Sequence, residues 1–341
     1  MRKNIVSYFL ISLLLPAFCF AQATFSIEGR VVDSQTKEPL EFANVYLSQT
    51  TFGAATNEKG SYKIGKLPAG RYILVASLVG YEPKTINVSL NSVQNIVADF
   101  SLNKSLYQFG QIEVRGEIPK EWFDHLEIFK KALFGNNEFA GKCDITNPYQ
   151  IDFKEENSIL TAAAKEPIVI VNLALGYRIE CVLKSFSYDL MGRTSGYQIY
   201  PSFSEIDSSD SAKEFESNRR EAYLGSLAQL LSSLAVNNYK FRDDGFELHV
   251  ANRLVARANE IVQTDSLNNK YFLHAKECIT IKYWNFGKRY TSKLCLQTGI
   301  TEFDPSGFLI NPNEFIVSGD LSREGVATML PRFWKLPEDR K

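Results

Sequence analysis

Short apolar runs separated by polar turns fill the first third of the chain. Alternating or fully apolar runs occur at residues 26–32, 43–47, 61–64, 72–78, 84–90 and 96–102. Turn-forming residues lie between them, including Pro39, Gly60 and Gly70. Closely spaced short strands joined by glycine and proline turns are typical of a β-sandwich. We therefore predict an all-β sandwich over residues 22–104.

Helical and strand patterns alternate after residue 119. Trp122, Leu126, Phe129 and Leu133 recur at helical spacing, which predicts an amphipathic helix over residues 121–133. Strand patterns follow at residues 149–153, 159–164, 168–173, 178–188 and 196–203. A second helical pattern predicts one long helix over residues 213–236, and strands return from residue 245. The prediction is a strand-dominated α+β domain over residues 120–341, joined to the sandwich by a connector, 105–119, that contains a short strand at 111–115.

Two further strands, at residues 277–284 and 289–297, flank a short turn. If the turn is symmetric about Phe286 and Gly287, Ile279 lies opposite Leu294 and Cys278 lies opposite Cys295. Opposed Cβ atoms lie about 4.5–5.5 Å apart in antiparallel pairs, and a disulfide needs about 3.5–4.5 Å. Cys278 and Cys295 thus form a disulfide if their pair is of the closer type; two thiols are the alternative.

The first residues have the pattern of a secretory signal peptide. Arg2 and Lys3 precede an apolar run at residues 5–20, and the small residue Ala21 precedes Gln22. We predict a signal peptide over residues 1–21, cleaved after Ala21. The alternative, a retained membrane anchor, is disfavoured because the run is short and contains a proline. The expected location is therefore the periplasm, the outer membrane or the cell surface.

Composition agrees with an exported globular protein. The 341 residues are 45% hydrophobic, which is enough for large cores, and the length fits two domains. Lys and Arg number 38 against 39 Asp and Glu, so no basic excess would attract nucleic acid. No apolar run after residue 25 is long enough to span a membrane as a helix.

Several motifs in the sandwich occur in the order seen in one known family. These are GRVVD at residues 29–33, PL at 39–40, ANV at 43–45, TNEKG at 56–60, LPAG at 67–70 and GY at 80–81. Together they resemble the carboxypeptidase regulatory-like domain, a transthyretin-like (prealbumin-like) sandwich. The resemblance implies a structural accessory module. It implies no peptidase activity, because a fold alone does not carry a function.

The rest of the chain resembles a group of Bacteroidota envelope proteins. The shared motifs are NP at residues 147–148, EP at 166–167, Asn172, LGY at 175–177, NRR at 218–220, AYLGS at 222–226, DGF at 244–246, FD at 303–304, SRE at 322–324 and MLP at 329–331. That group joins one carboxypeptidase regulatory-like domain to this second region. The resemblance implies two domains and an envelope location, and it brings no assigned activity.

The sequence contains none of the common catalytic motifs. Glu127 follows His125 at the wrong spacing for a His-x-x-Glu pair, and His249 and His274 are isolated in strand-like runs, so the three histidines give no recognisable zinc carboxypeptidase set. No Gly-x-Ser-x-Gly elbow is present, and residues 225–226 fall inside the predicted long helix. Phosphate-binding loops are absent as well. We therefore predict no catalytic residue, no metal ligand and no cofactor.

One polar cluster is a candidate ligand site. Asn218, Arg219, Arg220 and Tyr223 could together grip a carboxylate or phosphate, or stack against a sugar ring. The alternative is a helix whose arginines pair with neighbouring acidic residues such as Glu216 or Glu221.

The preferred hypothesis is an exported, non-catalytic envelope protein. It would bind an envelope protein or glycan through residues 120–341, with the sandwich as accessory module and no part in nucleic-acid binding. The alternative is a glycan or peptide hydrolase with a carboxylate-based site in the same region. A cleft in which two carboxyl groups have raised pKa values would favour the hydrolase.

Overall fold

The computed structural model describes residues 24–91, 95–105, 118–265, 270–285, 287–310 and 315–337. Within them the chain forms three large hydrophobic cores, one in the N-terminal sandwich and two in the region after residue 119. A smaller buried cluster of Tyr46, Val75 and Val182 joins the sandwich to the region after residue 119. The predicted signal peptide, 1–21, and the predicted strand 111–115 lie outside the described residues. No helix in the described part is both long enough and apolar enough to cross a membrane.

The first core confirms the predicted sandwich. Its eight strands are β1 (Phe25–Asp33), β2 (Asn44–Leu47), β3 (Gly53–Ala55), β4 (Ser61–Leu67), β5 (Gly70–Ser77), β6 (Lys84–Leu90), β7 (Asn95–Val97) and β8 (Phe100–Leu102). One sheet has the order β4-β1-β7, with β8 also pairing β1, and the other has the order β3-β2-β5-β6. Fully buried Ile27, Leu47 and Leu74 lie between the sheets. The turn at Gly60 has φ of +69°, which glycine adopts without the strain that a side chain would add.

The second core, here called the middle unit, combines one helix with a six-stranded sheet. Its elements are α1 (Lys120–Phe134), β9 (Cys143–Ile145), β10 (Ile151–Glu156), β11 (Ile159–Ala164), β12 (Ile168–Asn172), β13 (Tyr177–Asp189) and β14 (Thr194–Glu205). The long β13 pairs with β14 along one edge and with β12 and β11 along the other. Trp122, Leu126, Phe129 and Leu133 all pack into this core, as their helical spacing predicts.

The third core, here called the third unit, is built from two short sheets and two helices. Its strands are β15 (Phe246–Val250), β16 (Arg253–Leu254), β17 (Val262–Asp265), β18 (Lys270–His274), β19 (Ile279–Asn285), β20 (Lys288–Leu296), β21 (Ile300–Phe303) and β22 (Phe315–Gly319). One sheet has the order β16-β15-β19-β20-β22, and the other has the order β17-β18-β21. The predicted hairpin register is confirmed, because Ile279 pairs with Leu294 and Tyr283 with Tyr290.

The prediction of one helix over residues 213–236 is wrong. The chain instead forms α2 (Ala212–Tyr223) and α3 (Leu227–Val236), followed by the short α4 (Lys240–Asp243). Gly225 breaks the helix with φ of +82°, and a Cβ there would lie 2.6 Å from the Tyr283 ring. Ser226 then caps α3, since its hydroxyl accepts a hydrogen bond from the Gln229 N–H at 3.1 Å.

Backbone hydrogen bonds fix the sandwich directly to the middle unit. The Gln49 N–H donates to the Pro201 carbonyl at 2.7 Å, and the Phe203 N–H donates to the Thr50 carbonyl at 3.0 Å. The Tyr46 hydroxyl donates to the Tyr200 carbonyl at 2.8 Å. These bonds link β14 to the β2–β3 turn, so the two domains form one continuous body at this contact.

One late segment then contacts all three cores. We call residues 321–334 the crossing segment. Leu321 packs on the core of the third unit, Val326 lies in the core of the middle unit, and Phe333 packs on the sandwich core. The place where the three cores meet along this segment is here called the junction.

Candidate functional site

A cavity of about 400 Å³ lies at the junction. Apolar and aromatic side chains make most of its wall, including Tyr197, Tyr223, Leu227, Phe308, Phe315, Met329 and Trp334. They come from β14, α2, α3, β22, the loop after β21 and the crossing segment, so the cavity depends on all of these elements. A largely apolar cavity of this size with few polar groups is typical of a site for a small ligand.

Glu324 is the acidic group of this cavity. It follows a short 3₁₀ turn in the crossing segment, and its carboxylate accepts the N–H of Leu227, the first residue of α3, at 3.4 Å. Water reaches the Glu324 side chain, but cavity walls surround the carboxyl group, and this partial desolvation raises its pKa to about 7. Burial, together with the nearby charges of Cys181 and Glu324, raises the pKa of Tyr197 to about 12.

A second cavity of about 170 Å³ adjoins the first and shares Ser226 and Glu324 with it. Its other acidic residues are Glu138, Glu221 and Asp320. Desolvation raises the pKa of Glu221, and the nearby Glu138 carboxylate raises it further. Two carboxyl groups with raised pKa values, Glu221 and Glu324, therefore line this smaller cavity.

Arg332 holds the other end of the larger cavity together. Its guanidinium forms an ion pair with Asp304, and both side chains are buried. The same group donates to the Arg71 carbonyl at 2.6 Å and lies 4.4 Å from the centre of the Tyr72 ring. Its backbone N–H donates to the Gln49 carbonyl at 2.8 Å. Arg332 thus links the sandwich to the loop that follows β21.

The structure places the predicted ligand residues Asn218 and Arg219 against the protein's own backbone. The Asn218 amide donates to the Ala174 carbonyl at 2.8 Å. The buried Arg219 donates to the Leu175 carbonyl at 2.7 Å, and its guanidinium lies 4.1 Å from the centre of the Tyr177 ring. These two side chains stabilise the tight turn between β12 and β13.

The other two predicted ligand residues diverge from this pair. Arg220 is exposed on α2, whereas Tyr223 lines the larger cavity and lies 5.3 Å from the Trp334 ring, centre to centre. The predicted cluster is therefore divided between a turn, the surface and the cavity. Of its four members, Tyr223 is the one that reaches the candidate site.

Cys278 and Cys295 form a disulfide, with Cα atoms 4.1 Å apart. It joins the residue just before β19 to the last part of β20. Cys143 and Cys181 are free thiols, and burial raises their pKa values. A thiol in such surroundings is a poor nucleophile.

His125 has acidic neighbours that its sequence context did not reveal. Glu121, one helical turn earlier on α1, and Glu155 on β10 bring their carboxylates within 4.8 Å of the His125 ring nitrogen. The distance between His125 Nε2 and Glu155 Oε2 is 3.1 Å. A hydrogen bond between the His125 ring and the Glu155 carboxylate accounts for this contact.

Glu324 is the main residue that sequence reasoning missed. Its motif, SRE at residues 322–324, carried the resemblance to envelope proteins but no chemical role. No local signal could have found it, because its surroundings come from segments far apart in the chain. Glu221 was considered only as an ion-pair partner on a helix, and its place at a cavity likewise depends on tertiary structure.

The fold therefore defines a protein with a transthyretin-like β-sandwich followed by a strand-rich region. A family model described as "CarboxypepD_reg-like domain" matches residues 27–114. The N-terminal domain is thus a CarboxypepD_reg-like domain, as its motifs suggest. A search among curated proteins found no match to the chain.

Solved structures share only parts of this architecture. The backbone protein of group B streptococcus pilus 2b is 19% identical, with a TM-score of 0.22, over 24% of this chain and 42% of that chain. A 5-hydroxyisourate hydrolase from Klebsiella pneumoniae is 22% identical, with a TM-score of 0.21, over 24% of this chain and 91% of that one. A streptococcal ancillary pilin is 14% identical, with a TM-score of 0.22, over 56% of this chain and 60% of that one. Scores this low carry no argument about function.

Proposed function

We propose that this chain is an exported, non-catalytic binding protein of a bacterial envelope, with the junction cavity as its binding site. The observation that carries the proposal is the cavity of about 400 Å³, lined mainly by apolar and aromatic side chains around a single acidic residue. The sandwich would act as a scaffold, because its contacts with β14 and Arg332 hold one wall of the cavity in place. The signal-peptide pattern and the resemblance to Bacteroidota envelope proteins support the envelope location.

A cavity-filling variant tests this proposal. Ala222 lines both cavities, so Ala222→Phe should occupy the space without changing a charge. Protein comprising residues 22–341 would be exposed to solubilised envelope protein and glycan extracts and then examined by native mass spectrometry. We expect a bound species of defined mass on the unchanged protein and its loss from Ala222→Phe.

The control is a matching enlargement elsewhere. Ala162 on β11 packs at the edge of the middle core, away from the cavity, and Ala162→Val should leave binding unchanged. Equal binding by the unchanged protein and by Ala222→Phe would contradict the cavity as the site. If no bound species appears under any condition, the binding proposal fails.

The second candidate function is hydrolysis of a glycan or peptide at the smaller cavity. It is favoured by the raised pKa values of Glu221 and Glu324, because a carboxyl group that stays protonated near neutral pH can act as a general acid. In this hypothesis Glu324 would donate a proton and Glu221 would act as base or nucleophile. Screening glycan and peptide substrates with Glu221→Gln and Glu324→Gln as paired controls would test it. Activity that both substitutions abolish would replace the non-catalytic proposal.

A further inference from the structure

The two charged residues that line the larger cavity differ in whether the protein neutralises them. Of the described residues that line it, Glu324 and Arg332 carry full charges. The Arg332 guanidinium already has the Asp304 carboxylate, the Arg71 carbonyl and the Tyr72 ring as partners. Its positive charge is therefore neutralised inside the protein.

Glu324 has no such partner. Within the part of the chain that the structure describes, its carboxylate accepts one backbone N–H, from Leu227, and forms no ion pair with a lysine, arginine or histidine. A single long hydrogen bond at 3.4 Å does not satisfy a carboxylate, which has about four acceptor positions. The cavity thus contains one negative charge that the protein leaves unneutralised.

Aromatic side chains line the same space. Tyr197 comes from β14, Tyr223 from α2 and Trp334 from the crossing segment, and the last two rings lie 5.3 Å apart, centre to centre. Aromatic rings attract cations through the negative potential of their faces, and tryptophan does so most strongly. A carboxylate next to several aromatic rings is a set of groups that favours positive charge over neutral or negative charge.

We propose that the ligand of this cavity is a compact organic cation, a protonated or quaternary amine attached to an apolar group. Its charge would lie against the Glu324 carboxylate and the aromatic rings. Its apolar part would pack on Leu227, Phe308 and Phe315. This inference rests on the proposed binding function and names the chemical class that the cavity prefers.

Three probes of similar size and different charge test the preference. They are 2-phenylethylammonium, the neutral 2-phenylethanol and the anionic phenylacetate, each titrated calorimetrically into the protein comprising residues 22–341 at about pH 8. We expect the cation to bind at least about tenfold more tightly than the alcohol, and the anion to bind most weakly. In Glu324→Gln the cation and the alcohol should bind equally well, with the affinity for the alcohol retained.

Glu127→Gln is the charge-matched control. Glu127 is exposed on α1, outside both cavities, and its substitution removes the same charge. It should retain the preference for the cation. If it loses the preference to the same extent as Glu324→Gln, the effect comes from net charge, and the assignment to Glu324 is overturned.

A pH titration of the unchanged protein needs no variant. Affinity for 2-phenylethylammonium should rise several-fold between about pH 6 and about pH 8, as Glu324 ionises, while affinity for 2-phenylethanol stays constant. The other titratable groups that line the two cavities with Glu324 are Glu138, Glu221, Asp320, Arg332, Tyr197, Tyr223, Tyr283 and Tyr290. The pKa of Glu221 is also raised. Repeating the titration in Glu221→Gln therefore distinguishes the ionisation of Glu324 from that of Glu221.

The outcomes separate the two proposals. Equal affinity of the unchanged protein for the cation and the alcohol overturns the cation inference and leaves the binding function standing. Affinity for the cation that does not change with pH also overturns it. Absence of binding by all three probes overturns the cation inference, whereas the binding function fails only if the envelope extracts also yield no bound species.

Discussion

The sandwich and the junction bury polar groups in opposite ways. In a sandwich turn the partners are near in sequence: the Asp33 carboxylate accepts the N–H groups of Gln35 and Thr36 at 2.8 and 3.0 Å. At the junction the partners are distant, since Arg332 donates to the Arg71 carbonyl, 261 residues earlier. Sandwich turns are therefore specified by local chemistry, while the junction exists only when the whole fold has formed.

This difference suggests which parts of the protein are sensitive to substitution. A turn whose polar groups are satisfied by its own residues does not depend on distant parts of the chain. The junction couples three cores through a few buried charges, so its properties depend on each of them. The five predictions below test how strongly the junction and other parts of the fold depend on such contacts, in order of expected effect.

The largest effect is expected from Arg332→Ala. It leaves the Asp304 carboxylate buried without its cation, and breaking a buried pair on one side costs about 3–5 kcal/mol of unfolding free energy. Hydrogen exchange should show lost protection in both β5 and β21, because Arg332 links them. Adding Asp304→Asn should restore part of the loss.

Arg323→Ala is the control for this prediction. Arg323 is exposed in the same segment, 3.9 Å from Asp320, and its removal should change stability by no more than about 0.5 kcal/mol. Equal losses in the two variants would show that the buried pair does not hold the junction together.

Gly225→Ala should come next. The positive φ disfavours a side chain, and the new Cβ would press on the Tyr283 ring, for a combined cost of about 2–4 kcal/mol in chemical unfolding. Gly287→Ala has a similar φ of +78° but no atom within 4 Å of the new Cβ. Its cost should therefore be about 1–2 kcal/mol, from strain alone. Identical costs would mean that Tyr283 does not determine the helix break.

The Cys278–Cys295 disulfide should contribute about as much to the free energy of unfolding as Gly225→Ala removes. The two cysteines are separated by 17 positions in the sequence. In the chain-entropy model, reducing a disulfide that closes a loop of this length lowers the stability of the folded protein by about 3 kcal/mol. Alkylation of denatured protein comprising residues 22–341 should add two labels without reductant and four with it, because Cys143 and Cys181 are free. Four labels without reductant would contradict the bridge.

Arg219→Ala should cost about 2–3 kcal/mol, since it removes charged hydrogen bonds to two buried carbonyl groups. The neighbouring Arg220 is exposed, and Arg220→Ala should lie within about 0.5 kcal/mol of the unchanged protein. Thermal unfolding of the pair measures the contrast. Loss of ligand binding in Arg220→Ala without loss of stability would instead support the polar cluster on α2 as a ligand-binding site.

The smallest effect concerns Glu324 and pH. Its pKa is raised from the usual 4.5 to about 7, so the folded protein binds more protons than the unfolded chain between these values. Stability therefore falls as pH rises through this window, and Glu324→Gln removes the fall. The melting temperature of the variant should equal that of the unchanged protein near pH 5 and exceed it by about 1–3 °C near pH 8. A difference that does not vary with pH would contradict the raised pKa.

The comparison also explains what the sequence could predict. The hairpin register follows from a symmetric turn, and the sandwich follows from short strands with local turn chemistry, so both could be predicted. The break at Gly225 depends on the Tyr283 ring, which comes from a strand more than fifty residues later, and the helical pattern alone gave the wrong answer. Glu324 could not be found because a cavity built from distant segments leaves no periodic signal.

Chain order gives the crossing segment a consequence for biogenesis. Every strand that the structure describes precedes it, since β22 ends at Gly319. A ribosome therefore delivers all three cores before it delivers Phe333 and Arg332, whose contacts join them. Until these residues emerge, the nascent chain holds three units whose shared cavity lacks one wall. The native contacts of Arg332 thus become available only after every described strand has been synthesised.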